Sequence, residues 1–331
     1  MNLLDEKLPR YSELPLDRSR PPGSAWGVFG ETDGRGAVGY QLTEQRVVDA
    51  AHLVKRGVTF SLNLSLSEPS PPILGRRAVK HHVLQGPTGL DDYYDDFFPQ
   101  SGSQWDALAH VRHPELGFYN GAIDEDVVQG RRLGIDEWAR NGIAGRFVLI
   151  DLERHFRESG RPLDQGSRVA VTAEDLDLAL AQQGTEVAEG SILLLHFGWL
   201  RWYLASDAAT RRRLGVAGDF DDLSKDAESF FACPGLSQDE ETAEWLWNHR
   251  VAAVAADNPA VEAQPFSRLT TAGHLHYRLV VLLGIGIGEL WNLSDLAADC
   301  ERDGVYEGLL TSAPLNMPGG IGSPANAIAI K

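Results

Sequence analysis

Three short, dense apolar runs place the tightest limit on what this chain can fold into. Residues 147–152 (Phe-Val-Leu-Ile-Asp-Leu), 192–197 (Ile-Leu-Leu-Leu-His-Phe) and 251–256 (Val-Ala-Ala-Val-Ala-Ala) each read as a compact, buried strand. Helices with recognisable ends lie around them. Thr43 can N-cap a helix running to about Arg56, with Val47, Val48, Ala51 and Val54 on one side and Gly57 as the stop. Thr172, with Asp175 three residues on, starts a second helix that ends at Gly184, and Ser237 with Glu240 forms a capping box for a third reaching Asn248. Residues 58–66 alternate like a half-buried strand, and the segment from His276 to Leu283 reads as a helix followed by a short strand ending near Glu289. Strands interleaved with capped helices over the whole length predict an α/β architecture and leave the strand order open.

Nothing divides the chain in two: it has no Gly/Ser linker, no internal repeat and no shift in composition between its halves. One domain over residues 23–331 is expected, preceded by an irregular, charged and proline-containing arm at residues 1–22. Residues 201–231 are polar, charged and aromatic without a clear period, which suits a lid or an oligomer contact. The 30 basic and 47 acidic residues give a formal charge of −17, a field that repels phosphate backbones and anionic membranes. Nucleic-acid and membrane partners are therefore not expected. Cys233 and Cys300, without metal-type spacing, read as reduced thiols. The N-terminus lacks the apolar stretch of a signal peptide, and the run at residues 279–287 is too short to span a bilayer. A soluble, cytoplasmic protein is expected.

The chemistry concentrates in residues 100–110. Small residues at 101–103 let the backbone turn, and Gln100, Gln104, Asp106 and His110 then project polar heads from a partly apolar segment. Such a cluster needs partners, a metal or a substrate to satisfy it, and a structural hydrogen-bond network would serve equally well.

The segment resembles the "putative cyclase" family, which includes bacterial kynurenine formamidases and isatin hydrolases and carries the motif His-x-Gly-Thr-His-x-Asp-x-Pro-x-His. Gly102, Asp106 and His110 stand at matching positions; Gln100 and Gln104 replace both ligand histidines, Ser103 replaces Thr and Leu108 replaces Pro. This is similar to the branch in which Gln-Trp-Asp takes the place of His-x-Asp. The family's second signature, a His, an apolar helix, a glycine and a Glu, is matched by His276, residues 279–283, Gly284 and Glu289. Further likeness runs through Tyr119-Asn120-Gly121, residues 148–151, 190–199, Asp257-Asn258-Pro259 with Glu262, and residues 314–324.

The resemblance implies a swivelling β/β/α fold, a mixed barrel-like sheet flanked by helices, assembled as a homodimer or homotetramer. It implies a metal-dependent hydrolase opening a C–N or C–O bond in a small cyclic or aromatic amide, imide or lactone. Asp106, His276 and Glu289 would hold one divalent ion, with Gln104 and Gln100 adding amide oxygens and His110 as acid/base. An oxygen-rich set shifts preference from Zn²⁺ towards Mn²⁺ or Mg²⁺. Loss of both motif histidines leaves a metal-free cyclase, dehydratase or lyase as the alternative.

Three residues are expected at the substrate. Trp105 would wall the pocket, His196 lies in an apolar strand where a hydrogen-bonded core histidine is the other reading, and Ser323 lies in a glycine-rich segment that offers N–H groups to an oxyanion or simply turns. His113 suits a supporting or surface position, and the pair His81-His82 a solvated loop. His274, two residues from His276, would face away from it on a helix.

Overall fold

The three apolar runs lie side by side at the centre of one sheet. The computed structural model describes residues 8–216, 231–266 and 270–331. Its strands are β1 (Thr59–Ser61), β2 (Lys80–Gln85), β3 (Leu90–Asp95), β4 (Gln104–Asp106), β5 (Ile143–Asp151), β6 (Ala170–Val171) and β7 (Ile192–His196). They continue with β8 (Gly235–Leu236), β9 (Ala253–Ala256), β10 (Gly286–Glu289), β11 (Glu307–Ser312), β12 (Gly322–Pro324) and β13 (Ala327–Ile330). Nine of these described strands form a curled, half-barrel sheet in the order β1-β13-β11-β5-β7-β9-β10-β4-β12. β5, β7, β9 and β10 are parallel, and every other junction in the sheet is antiparallel.

The parallel centre explains the dense runs. Every residue of β7 and β9 is buried, as both faces of a parallel sheet must be when helices cover them. Each buried leucine or isoleucine there contributes roughly 1.5–3 kcal/mol. The mixed α/β architecture and barrel-like sheet expected from sequence are the architecture found.

Local expectations fare unevenly. Thr172 and Asp175 form the capping box of helix Ala173–Gln183, which ends at Gly184 in the left-handed conformation. Thr43 caps its helix through Arg46 N–H, but that helix stops at Ala51 rather than Arg56. Only Ala50 on it is buried and Val48 is exposed, so no further turn has a surface to cover. The strand expected over residues 58–66 is β1 alone, because the Asn63 side chain takes over the bonds to the Ala327 main chain. The third helix, Glu240–Asn248, is capped by Asp239, whose Oδ1 accepts from Thr242 N–H, and Ser237 instead donates to Asp239.

His81 and His82 lie on strand β2 of an exposed two-stranded hairpin with β3, not in a loop. Within the aperiodic segment, helices Trp199–Ala205 and Ala208–Val216 occupy the start, and residues 217–230 lie outside the described residues. No described helix is long and apolar enough to cross a membrane.

Candidate active site

β4 runs antiparallel to β10 with Gln104 opposite Glu289 and Asp106 opposite Ile287. Residues opposite one another, and those two apart on a strand, share one face of a pleated sheet. Gln104, Asp106 and Glu289 therefore gather on one face, and Trp105 goes to the other. Gln104 is 0%, Asp106 1% and Glu289 4% exposed. Gln104 Nε2 donates to Glu289 Oε2 at 2.6 Å and to Asp106 Oδ1 at 3.2 Å, so one amide spans both carboxylates.

His276 joins them from the start of a wide, π-type helix over Tyr277–Leu283. Its Nε2 lies 3.2 Å from Glu289 Oε1 and its Nδ1 2.5 Å from Glu262 Oε1. Glu262, fully buried, also accepts from the Leu275 and His276 N–H groups and meets His274 Nδ1 at 2.7 Å. His274 and His276 thus converge on one carboxylate instead of facing apart, because the helical turns begin only after His274.

The charges follow from this crowding. Burial and the adjacent Asp106 push the Glu289 carboxyl up to about 7, against the pull of His276 and Arg76. Burial opposes charge on His276, yet its bonds to Glu262 and Glu289 hold the imidazolium well above the ordinary histidine range. Glu262 is buried too, but the two imidazoles keep it well below the usual carboxylate range. His110 is pushed down by burial despite the attraction of Asp106, whose Oδ1 is 3.9 Å from His110 Nε2 and so beyond hydrogen-bond reach.

His110, His276 and Glu289 border a cavity of about 260 Å³ together with Arg76, Arg112 and His274. Its apolar wall includes Leu74, Val111, Phe231, Pro259, Phe266 and Tyr277. A larger hollow of about 520 Å³ runs past Ser103, but the charged residues on its rim, Arg77 and Asp96, already pair with each other. The smaller cavity is the one that brings His110, His274, His276 and Glu289 together.

Among the described residues, two groups could each hold a divalent ion, and both use His276: Glu262 with His274, and Asp106 with Glu289. Glu262 is already saturated by four hydrogen-bond partners. The second group differs. Among the described residues, Asp106 Oδ2 and Gln104 Oε1 are buried without any hydrogen-bond partner, and the ligand atoms of Asp106, His276 and Glu289 lie within 4.8 Å of one another. Orphaned buried acceptors of this kind fit a cation. The Glu262–His276 bond matches the carboxylate that commonly orients a ligand histidine from behind.

The other sequence-derived candidates lie elsewhere. Trp105 is fully buried on the opposite face of β4, 4.8 Å from the Trp291 ring and 6.1 Å from that of Trp138, and does not line the cavity. Gly288 lies opposite it, and a side chain there would collide with the Trp291 ring and Ala255. Ser323 shares that face, accepting from Leu315 N–H and donating to the Pro324 carbonyl. Gly319 and Gly320 commit their N–H groups to Asp136 and the Met317 carbonyl, which makes the glycine segment a turn. His196 is a core histidine bonded to Asp151 at 2.8 Å. His113 is buried and clamps its own turn through Nδ1.

The Gln100 amide packs over Gly322, and its main-chain carbonyl accepts from Arg76 at 2.5 Å. Gly322 lies opposite Asp106 across β12 and β4, so the Gln100 amide sits on the same face of the sheet as Asp106. Glu262 and Arg76 went unassigned from sequence. Glu262 carried a signal in the Asp257-to-Glu262 likeness, whereas Arg76 carried none.

Residues 48–263 match the family described as "Putative cyclase". Among curated proteins, none matches the chain. A solved structure described as a novel cyclase is 32% identical, with a TM-score of 0.78, and the alignment covers 93% of this chain and 99% of that one. Isatin hydrolase A from Labrenzia aggregata, bound to benzyl benzoate, shares the fold at 17% identity and a TM-score of 0.57, covering 86% of this chain and 98% of that one. Isatin hydrolase A from Ralstonia solanacearum does so at 19% identity and 0.55, covering 87% and 97%. The chain is an enzyme that belongs to the cyclase family.

Proposed function

We propose that the enzyme is a metal-dependent hydrolase that opens a C–N or C–O bond in a small cyclic or aromatic amide, imide or lactone. The observation that carries this reading is the pair of orphaned oxygens, Asp106 Oδ2 and Gln104 Oε1, beside His276 and Glu289. A divalent ion there would polarise a carbonyl and lower the pKa of water. Oxygen donors outnumber the single imidazole, which favours Mn²⁺ or Mg²⁺ over Zn²⁺.

The chain supplies the rest. Glu262 fixes the His276 ring so that Nε2 faces Glu289. Gln104 holds both carboxylates in place through one NH₂ group. His110, on the cavity wall and disfavoured as a cation, is set to accept a proton from water and pass it to the leaving group. The apolar wall suits a flat, small ring.

A metal-free cyclase, dehydratase or lyase is the second reading. It is favoured by the Gln104 amide, which already bridges both carboxylates without an ion. Metal analysis of gently purified protein separates the two readings, followed by chelation and add-back of Mn²⁺ or Zn²⁺ against a panel of formamides, cyclic imides and lactones. The hydrolase reading expects turnover to vanish on chelation and return with metal; full turnover by chelated protein would overturn it.

A further inference from the structure

Two arginines line the cavity, and they are differently placed. Arg112 is committed: its Nε and Nη2 donate to the two oxygens of Asp124 at 2.6 and 2.9 Å. Arg76 forms no ion pair among the described residues, and its one hydrogen bond to them goes to the Gln100 carbonyl. Its neighbour Arg77 turns outwards to Asp96 at 3.0 Å. A part-buried guanidinium without a carboxylate partner is costly, and it marks a place where an anion is missing.

The backbone is bent to put it there. Leu74 has φ +60° and Gly75 φ +69°, consecutive left-handed residues, and such a conformation costs a leucine on the order of 1 kcal/mol or more. Ile73, fully buried just before them, anchors the turn in a second apolar cluster with Trp199 and Tyr203. The result is that Leu74 and Arg76 both enter the cavity wall.

Asp106 and Glu289 are the negative charges that bear on Arg76. If these carboxylates hold a cation, as the proposed function requires, the Arg76 charge is left facing the cavity without a counter-ion. We infer that Arg76 binds an acidic oxygen of the substrate, so that the ring accepted by this cavity carries a carboxylate or an equally acidic enol or phenol. A planar fork of N–H donors matches a carboxylate in two places at once. Arg76 is a specificity-determining residue in this scheme, beside the site that does the chemistry.

Benzoate and benzamide test this directly, being alike in shape and different in charge. Their affinities are measured by calorimetry on the full chain, chelated and Mn²⁺-loaded, for the wild type, Arg76→Gln and Arg76→Lys. The wild type should bind benzoate at least tenfold more tightly than benzamide. Arg76→Gln should lose that preference, while Arg76→Lys should keep part of it and so control for folding. Equal affinities in the wild type overturn the inference. So does a benzoate preference that survives in Arg76→Gln, which would assign the carboxylate to the metal. Bound Mn²⁺ is counted in the same samples, so failure of the hydrolase reading appears as missing metal and failure of this one as missing anion preference.

Discussion

Two buried histidines, His196 and His276, are built alike and differ in what surrounds them. Each donates from Nδ1 to a buried carboxylate, His196 to Asp151 at 2.8 Å and His276 to Glu262 at 2.5 Å. His196 Nε2 is buried without a hydrogen-bond partner among the described residues, and His196 does not line the 260 Å³ cavity. His276 Nε2 instead faces Glu289, next to Asp106 and a cavity large enough for a small ring. The carboxylate–histidine pair is therefore a general way to hold a ring still. Only at His276 do a second set of acidic groups and an accessible space meet the far nitrogen.

The largest expected effects fall on the second set. Asp106→Asn keeps the shape and removes the charge, and should cut turnover on the order of a thousandfold, ~4 kcal/mol of barrier. Bound metal, counted by plasma emission, should fall with it; an Asn variant with full metal content and full turnover would break the distinction between the two histidines. His110→Ala should lower turnover about 10²–10⁴-fold while leaving metal content unchanged, because His110 touches neither carboxylate at bonding distance. Loss of metal in that variant would make His110 a ligand instead.

Neither histidine's role was readable from its own neighbours in sequence, while much of the fold was. The cores of β5, β7 and β9 are legible because burial on both faces is written locally, as an unbroken apolar run. The caps at Thr43 and Thr172 are legible because one side chain satisfies its own helix end. β4 is three residues long, too short to show a period, and its identity as a strand comes from β10 and β12 on either side. Without that knowledge Trp105 read as a pocket wall; strand alternation sends it to the opposite face from Gln104 and Asp106. The choice of His276 over His274 rested on likeness to a family, since the site depends on register between segments 185 residues apart. Arg76 carries no signal in the sequence because what singles it out is the absence of an ion pair among the described residues.

A smaller effect comes from the supporting carboxylates. Glu262→Gln leaves the His276 ring in place but weakens its orientation and basicity, and should reduce metal affinity about 10–100-fold. The same change at the other histidine, Asp151→Asn, should leave metal affinity within about twofold, and the Asn oxygen can still cap the helix by accepting from Arg154 N–H. Equal losses of metal affinity in the two variants would show that general destabilisation, and not ligand support, is being measured.

The smallest effect is a pH signature of the His196–Asp151 pair. Burial opposes charge on His196, but the bond to Asp151 and the charge of Asp257 outweigh it and raise its pKa. Burial likewise disfavours the Asp151 carboxylate, and the bond to His196 brings its pKa below the ordinary value. A raised histidine stabilises fully below about 6.5 and loses that contribution as pH climbs through its folded value; a depressed aspartate contributes above about 3.9 and loses it as pH falls. His196→Gln should therefore cost about 2 kcal/mol between roughly pH 4 and 6.5, and progressively less towards pH 9. Thermal unfolding of both proteins at pH 5, 7 and 9 reads the gap, and a gap that stays constant would mean that His196 is neutral in the fold and that its bond to Asp151 is only a packing contact.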